Sequence, residues 1–104
     1  MGTSSIITMA EEQQFSIPGA ECLKHACKLA LVDDKPIMMD YYADSVEKKV
    51  IIGVRENGEK LLVKSADEYT SPISKIYKSG EEYIIVTENS IYLVSAAIEN
   101  KRIS

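Results

Sequence analysis

The chain has 104 residues, of which 45% are apolar and 27% charged, and a net charge of −4 with the two signs interspersed. This length fits one domain that buries a core without a disulfide or a metal, and the composition argues against a wholly disordered chain. The acidic balance argues against a broad electrostatic grip on a nucleic-acid backbone. No segment approaches the run of about 20 apolar residues that a membrane-spanning helix needs, so we predict no membrane partner.

The two ends of the chain are polar. Residues 1–16 lack the basic start and the apolar run of a secretory signal. We predict a flexible N-terminal arm there, then a single domain over residues 17–98 and a polar tail over residues 99–104. An ordered arm that docks on a neighbouring subunit is the alternative.

An amphipathic helix is predicted from about Pro18 to Leu31. Proline suits the first helical turn, and Pro36 cannot continue a helix, so the segment 33–36 ends it. Apolar residues recur on one side at helical spacing, and polar residues fall on the other. The apolar side is formed by Leu23, Ala26, Cys27, Ala30 and Leu31, and the polar side by Glu21, Lys24, His25 and Lys28.

The two cysteines, Cys22 and Cys27, lie five positions apart on this helix. That spacing separates their Cα atoms by more than the roughly 7 Å limit for a disulfide. We therefore predict free thiols, which suit a reducing compartment, and place the chain in the cytoplasm or the nucleus.

From Pro36 onward the apolar period changes from 3.6 to 2, which predicts strands. The first strand covers Ile37 to Tyr42 and ends at a turn over residues 43–45, and the second covers residues 50–54. Asn57-Gly58 then predicts a two-residue hairpin loop. Its register places Val54 opposite Leu61 and Ile52 opposite Val63, with Gly53 at a bend or bulge.

Two further hairpins follow a polar loop over residues 65–72. A strand from Ile73 to Lys78 turns at Ser79-Gly80, and the last hairpin joins residues 82–87 to 91–97 across Glu88-Asn89. This register pairs Val86 with Ile91 and Ile84 with Leu93 on one face, and Ile85 with Tyr92 and Tyr83 with Val94 on the other.

Both faces of that last hairpin are apolar, whereas a sheet with one wet face shows polar residues at alternate positions. Either the hairpin is central in the fold, or its second face meets another chain. We predict an α+β fold in which the N-terminal amphipathic helix packs on a curved antiparallel β-meander or small barrel of five to six strands.

The first functional hypothesis is a non-enzymatic protein-interaction or self-assembly module. Aromatic and aliphatic side chains are enriched in the cores of interfaces, so the outer face of the last hairpin is the expected docking surface. The partner is a protein, with the chain itself expected to form a homo-oligomer. The interface residues are Tyr83, Ile85, Tyr92 and Val94.

The second hypothesis is a small barrel that binds nucleic acid. Small curved barrels bind single strands through a mixture of basic and aromatic side chains. Such a mixture is formed by Arg55, Lys60, Lys64, Lys75, Tyr77 and Lys78.

A metal-dependent or acid–base enzyme is the third hypothesis. Cys22 and His25 lie one helical turn apart, and a zinc site would need at least one more ligand. With Asp40 on the outer face of the first strand and Asp33-Asp34 in the adjacent turn, the carboxylates that could gather near one edge of the sheet are Asp33, Asp34, Asp40, Asp44, Asp67 and Glu68. Their spacing matches no EF-hand loop and no paired-carboxylate motif, and the glycines form no phosphate-binding loop. We therefore predict no enzyme, no bound metal and no cofactor.

The order of one helix followed by short antiparallel strands is similar to that of small Sm-like β-barrels. In addition, the segments Glu59–Lys64, Asp67–Ile73 and Glu82–Tyr92 resemble short uncharacterised proteins of large DNA viruses of protists. This second resemblance covers about residues 23–98. It implies an infected host cell or a virion as the setting, and it brings no activity or site residues.

Overall fold

The computed structural model describes residues 17–103, which form two helices and seven strands. In chain order these are α1 (Ala20–Asp33), β1 (Ile37–Met38), α2 (Tyr42–Val46), β2 (Ile51–Val54), β3 (Lys60–Val63), β4 (Ile73–Ser79), β5 (Glu82–Thr87), β6 (Ile91–Ser95) and β7 (Glu99–Arg102). The strands build a four-stranded sheet in the order β1-β6-β5-β4 and a three-stranded sheet in the order β3-β2-β7. The predicted α+β class is confirmed, whereas the single meander or small barrel is not: no closed barrel forms among these residues.

The four-stranded sheet is covered on both faces. On one face it packs against α1 and α2, through Cys22, Ala26, Tyr42, Ile84, Val86, Ile91 and Leu93. On the other it packs against the three-stranded sheet, through Tyr41, Val50, Ile52, Leu62, Ile85, Val94 and Ile98. The layers are therefore helix, sheet and sheet. Of the two alternatives left open for the last hairpin, the structure shows the central position.

The helix α1 is rotated from the predicted orientation. Cys22 and Ala26 are buried against the sheet, whereas Cys27 is exposed and Leu31 is 84% exposed. Small side chains at the two buried positions let the helix lie close to the sheet. The helix ends after Asp33, where Asp34 adopts the left-handed conformation (φ 54°) and donates its N–H to the carbonyl of Ala30.

The predicted first strand is mostly wrong. Only Ile37–Met38 is extended, and it pairs in parallel with β6. The predicted turn at residues 43–45 belongs instead to α2. The reason is Ser45, which is fully buried: its Oγ donates to the carbonyl oxygen of Tyr42 (2.6 Å) and accepts from the N–H of Ser95 (2.8 Å). This turn of helix buries Tyr42 and Ser45 together.

The hairpin between β2 and β3 is shifted by one residue from the predicted register. Ile52 lies opposite Leu62, and Gly53 lies opposite Leu61. The loop has three residues, because Arg55 donates its N–H to the carbonyl of Glu59, and Gly58 alone has a positive φ (90°) in this loop. Asn-Gly is compatible with this wider loop as well as with the two-residue turn.

The predicted bulge at Gly53 is also absent, since the β2–β3 pairing is continuous through it. A Cβ at this position would lie 2.6 Å from Cδ1 of Ile103. Glycine therefore serves here to admit a neighbouring side chain.

The last hairpin has the predicted register, with Ile84 opposite Leu93 and Ile85 opposite Tyr92. The segment expected to be a polar tail contains β7, which pairs in parallel with β2. The folded unit thus continues to at least Arg102. The arm predicted over residues 1–16 lies outside the described residues.

Candidate protein-interaction edge

The expected docking face on the last hairpin lies inside the fold. Ile85 and Val94 are 0% exposed, and Tyr83 and Tyr92 are half-buried. The three-stranded sheet covers all four of these residues. This face therefore contributes to the core of the chain itself.

The basic residues predicted for nucleic-acid binding are divided between the two sheets. Arg55, Lys60 and Lys64 belong to or follow strands of the three-stranded sheet, while the segment 75–78 lies on β4 of the other. Arg55 is already 3.8 Å from a carboxylate oxygen of Glu59.

Lys64 is held within the fold. Its Nζ lies 3.6 Å from a carboxylate oxygen of Asp44 and 4.5 Å from the centre of the Tyr41 ring. The Tyr41 ring meets that of Tyr92 edge-on, with 5.3 Å between their centres. Burial raises the pKa of Tyr41 to about 12, with further contributions from Tyr92 and nearby carboxylates. This cluster joins the two sheets and leaves the Lys64 side chain mostly buried.

The strand β4 is the open edge of the four-stranded sheet. It has seven residues, and among residues 17–103 it pairs only with β5. Within residues 17–103, no backbone hydrogen bond reaches β4 from any other element. Edge strands of this length present unpaired N–H and C=O groups to which another strand can add.

The hydrogen-bond pattern of β5 identifies which backbone groups of β4 are free. Thr87 bonds across to Ser90 in the β5–β6 hairpin, so the odd-numbered residues of β5 direct their backbone groups to β6, and the even-numbered ones to β4. The partners of the even-numbered residues are Lys75, Tyr77 and Ser79. The backbone groups of Ile76 and Lys78, which lie between them, point away from the sheet.

Apolar side chains accompany this edge on both faces. Ile76 is 38% exposed and Tyr77 is 39% exposed. Ile76 lies opposite Ile85, on the side of the three-stranded sheet, and Tyr77 lies opposite Ile84, on the side of α1. A strand added along β4 would therefore find apolar contacts above and below the sheet.

A groove of about 330 Å³ runs between α1 and β4. It exists because α1 packs over β5, β6 and β1 and leaves the last strand uncovered. Its apolar walls come from Leu29, Tyr77 and Ile84, and His25 and Lys28 also line it. The groove extends the exposed apolar surface of Tyr77 towards the helix.

A second groove, of about 460 Å³, lies on the outer face of the three-stranded sheet. Leu61, Tyr69 and Ile103 line it, and Arg55 is its charged residue. The guanidinium of Arg55 lies 3.8 Å from a carboxylate oxygen of Glu59, and both side chains are nearly half exposed.

The residues considered for catalysis or metal binding are not brought together. Cys22 is buried, whereas His25 lies on the exposed side of α1. Burial raises the pKa of the Cys22 thiol, and the charge of Glu82 adds to the effect. Across residues 17–103, no three side chains of His, Cys, Asp or Glu cluster closely enough to hold a metal ion. Both cysteines are free, as predicted.

In the part of the chain that the structure describes, neither helix has the length and apolar character that crossing a bilayer requires. No protein-family model, curated protein or solved structure matches this chain. The candidate site is therefore identified from the geometry of β4 and the surrounding residues alone.

Three residues of the predicted nucleic-acid surface, Lys75, Tyr77 and Lys78, are exposed on β4. They do not share one side of the sheet, since Lys75 and Tyr77 alternate with Lys78 along the strand. Sequence reasoning missed Ile76 and Leu29. Ile76 is apolar within a strand that is otherwise mostly polar, which is the local signal that could have identified it. The position of β4 at the edge of the sheet, however, depends on the complete strand order.

Proposed function

We propose that this chain is a non-enzymatic protein-interaction module that binds an extended segment of another protein along the open edge of β4. The observation that carries the proposal is that Ile76 and Lys78 direct unpaired backbone groups outward from a seven-residue strand. Addition of a strand to such an edge supplies affinity through main-chain hydrogen bonds and selectivity through side chains. Because both thiols are free, we place this activity in a reducing compartment, the cytoplasm or the nucleus.

The lysines of β4 bear on the identity of the partner. Lysines on an edge strand disfavour pairing between two copies of the same edge, because like charges are brought together. We therefore favour a different protein over the homo-oligomer expected from the sequence. The net charge of −4 likewise disfavours a nucleic acid as the partner. A nucleic acid also has no peptide strand to pair with the outward N–H groups of β4.

The test uses one substitution that blocks the edge and leaves the sheet intact. In Lys78→Pro the missing N–H is the outward one, and the bonds of β4 to β5 stay in place. Tyr77, the residue before it, is already extended, as proline requires. Lys78→Ala is the matched control, because it removes the same charge and keeps the N–H. A thermal melt of each variant checks that the fold is retained.

Short random peptides displayed on phage are selected against the wild-type protein. We expect selected peptides to bind Lys78→Ala and to lose binding to Lys78→Pro. Peptides that bind both variants equally would place the docking surface away from β4 and contradict the proposal. Light scattering at two concentrations tests the homo-oligomer: a dimer lost in Lys78→Pro would make a second copy of the chain the partner.

A further inference from the structure

Resting on the proposed function, we infer that the partner strand carries two acidic residues with two apolar residues between them, aligned opposite residues 75–78 of β4. This inference is supported by the order of residues along the open edge of β4, which is Lys75, Ile76, Tyr77 and Lys78. The order acidic, apolar, apolar, acidic is the same in both chain directions, so it suits a parallel or an antiparallel partner.

Neither lysine faces a carboxylate within its own sheet. Lys75 lies opposite Val86, and Lys78 lies opposite Tyr83. The ion pairs between described residues involve other cations, namely Lys49, Arg55, Lys64 and Lys101. Two ammonium groups on the edge are thus available to carboxylates of an added strand, and opposite charges directly across a sheet attract.

The two lysines lie on opposite faces of the sheet, and each shares its face with an apolar side chain. Lys75 and Tyr77 are on the α1 side, and Ile76 and Lys78 are on the side of the three-stranded sheet. Because side chains alternate along a strand, a partner with the inferred pattern places one acidic and one apolar residue on each face. A partner with both acidic residues on one face would satisfy only one lysine.

The α1 side adds positive charge to this surface. Lys28 lines the groove beside Tyr77, and its side chain is exposed. None of the described residues that line this groove is acidic, and β4 itself contains no acidic residue. The local charge is thus opposite to the net charge of the whole chain, which favours an acidic partner over a neutral one.

The experiment measures the fluorescence anisotropy of two labelled peptides with the full chain. One peptide carries Glu-Val-Val-Glu between threonines, and the other carries Lys-Val-Val-Lys in the same frame. We expect the acidic peptide to bind about tenfold more tightly than the basic one, since attraction at two positions replaces repulsion. In the double variant Lys75→Glu and Lys78→Glu the preference should reverse. A labelled single-stranded oligonucleotide serves as the polyanion control.

Each result is decisive for the charge pattern. Reversal of preference in the double variant supports it. Equal binding of both peptides, lost in Lys78→Pro, would overturn the acidic pattern and leave strand addition standing. Absence of binding by the acidic peptide would overturn the acidic pattern. If the phage selection also yields no peptide whose binding is lost in Lys78→Pro, the proposed function is overturned as well. Binding of the oligonucleotide in place of the peptide would assign the surface to nucleic acid and overturn both.

Discussion

The backbone N–H of Ser95 donates to the buried hydroxyl of Ser45, with 2.8 Å between N and Oγ. This bond joins α2 to the end of β6 and is partly buried, with Ser45 0% exposed and Ser95 half-buried. The same hydroxyl donates to the carbonyl oxygen of Tyr42. One side chain thus satisfies two backbone groups and holds a turn of helix where the sequence predicts a non-helical turn over residues 43–45.

Ser45→Ala should lower the free energy of unfolding by about 1–3 kcal/mol, because it removes the partner of the half-buried Ser95 N–H and the bond to the Tyr42 carbonyl. Urea denaturation measures the change. Ser65→Ala is the control, because its Oγ accepts from the N–H groups of Asp67 and Glu68 at exposed positions, where water can substitute. Equal losses in the two variants would show that water replaces the bonds of Ser45 as readily as those of Ser65.

Gly53→Ala should destabilise the chain by about 1–2 kcal/mol through crowding in the sheet. The added Cβ would meet Cδ1 of Ile103 at 2.6 Å and Cγ2 of Val63 at 3.1 Å. Ile103→Ala should relieve most of that crowding, so the double variant should lose less than the sum of the single variants. Strictly additive losses in urea denaturation would contradict the contact.

The two thiols should react at different rates. Cys27 is exposed, whereas Cys22 is buried, and its burial raises the pKa of the thiol and so lowers the fraction of reactive thiolate. A chromogenic disulfide reagent should label one thiol per native chain promptly and the second only in denaturant. Cys27→Ser should abolish the prompt reaction. A prompt reaction that persists in this variant would favour the helix orientation predicted from the sequence.

Stability should fall as the pH rises from 10 towards 12. The pKa of Tyr41 is raised from 10.0 to about 12 in the fold, so above pH 10 the unfolded chain releases this proton more readily than the native chain does. The stabilisation is complete below pH 10 and is lost as pH approaches 12. Burial also raises the pKa values of Tyr42 and Tyr92, which act in the same direction.

Tyr41→Phe isolates the contribution of this one tyrosine. Its stability should fall less steeply between pH 10 and 12 than that of the wild-type protein, by about 2 kcal/mol over the interval. Chemical denaturation at several pH values measures both slopes. Parallel slopes would show that the Tyr41 hydroxyl is not buried as described.

Local sequence patterns predict the register of the last hairpin correctly, but not the register of the β2–β3 hairpin. Glu88-Asn89 lies between strands that are apolar on both faces, and the pairing of Ile84 with Leu93 follows from the loop length. Asn57-Gly58 is compatible with two loop lengths, and neither choice is excluded by nearby residues. The parallel pairing of β7 with β2 joins segments about half the chain apart, and the polar residues 99–102 give no local signal for it.

The candidate site depends even more on such distant relationships. The sequence identifies β4 as a strand with exposed lysines, yet whether a strand is central or at an edge is set by the order of all the strands. The side chains of Ile85 and Tyr92 indicated a covered face, and the covering element proved to be the second sheet of the same chain. A pattern of burial can be read locally, whereas the identity of the covering element cannot.

Amide hydrogen exchange of the full chain, with and without the Glu-Val-Val-Glu peptide, tests strand addition at β4 most directly. We expect the amides of Ile76 and Lys78 to exchange at least about tenfold more slowly with the peptide bound, since each gains a backbone acceptor, while the amide of Tyr77, already bonded to β5, changes little. Unchanged exchange at Ile76 and Lys78 under saturating peptide, with protection elsewhere, would contradict the account.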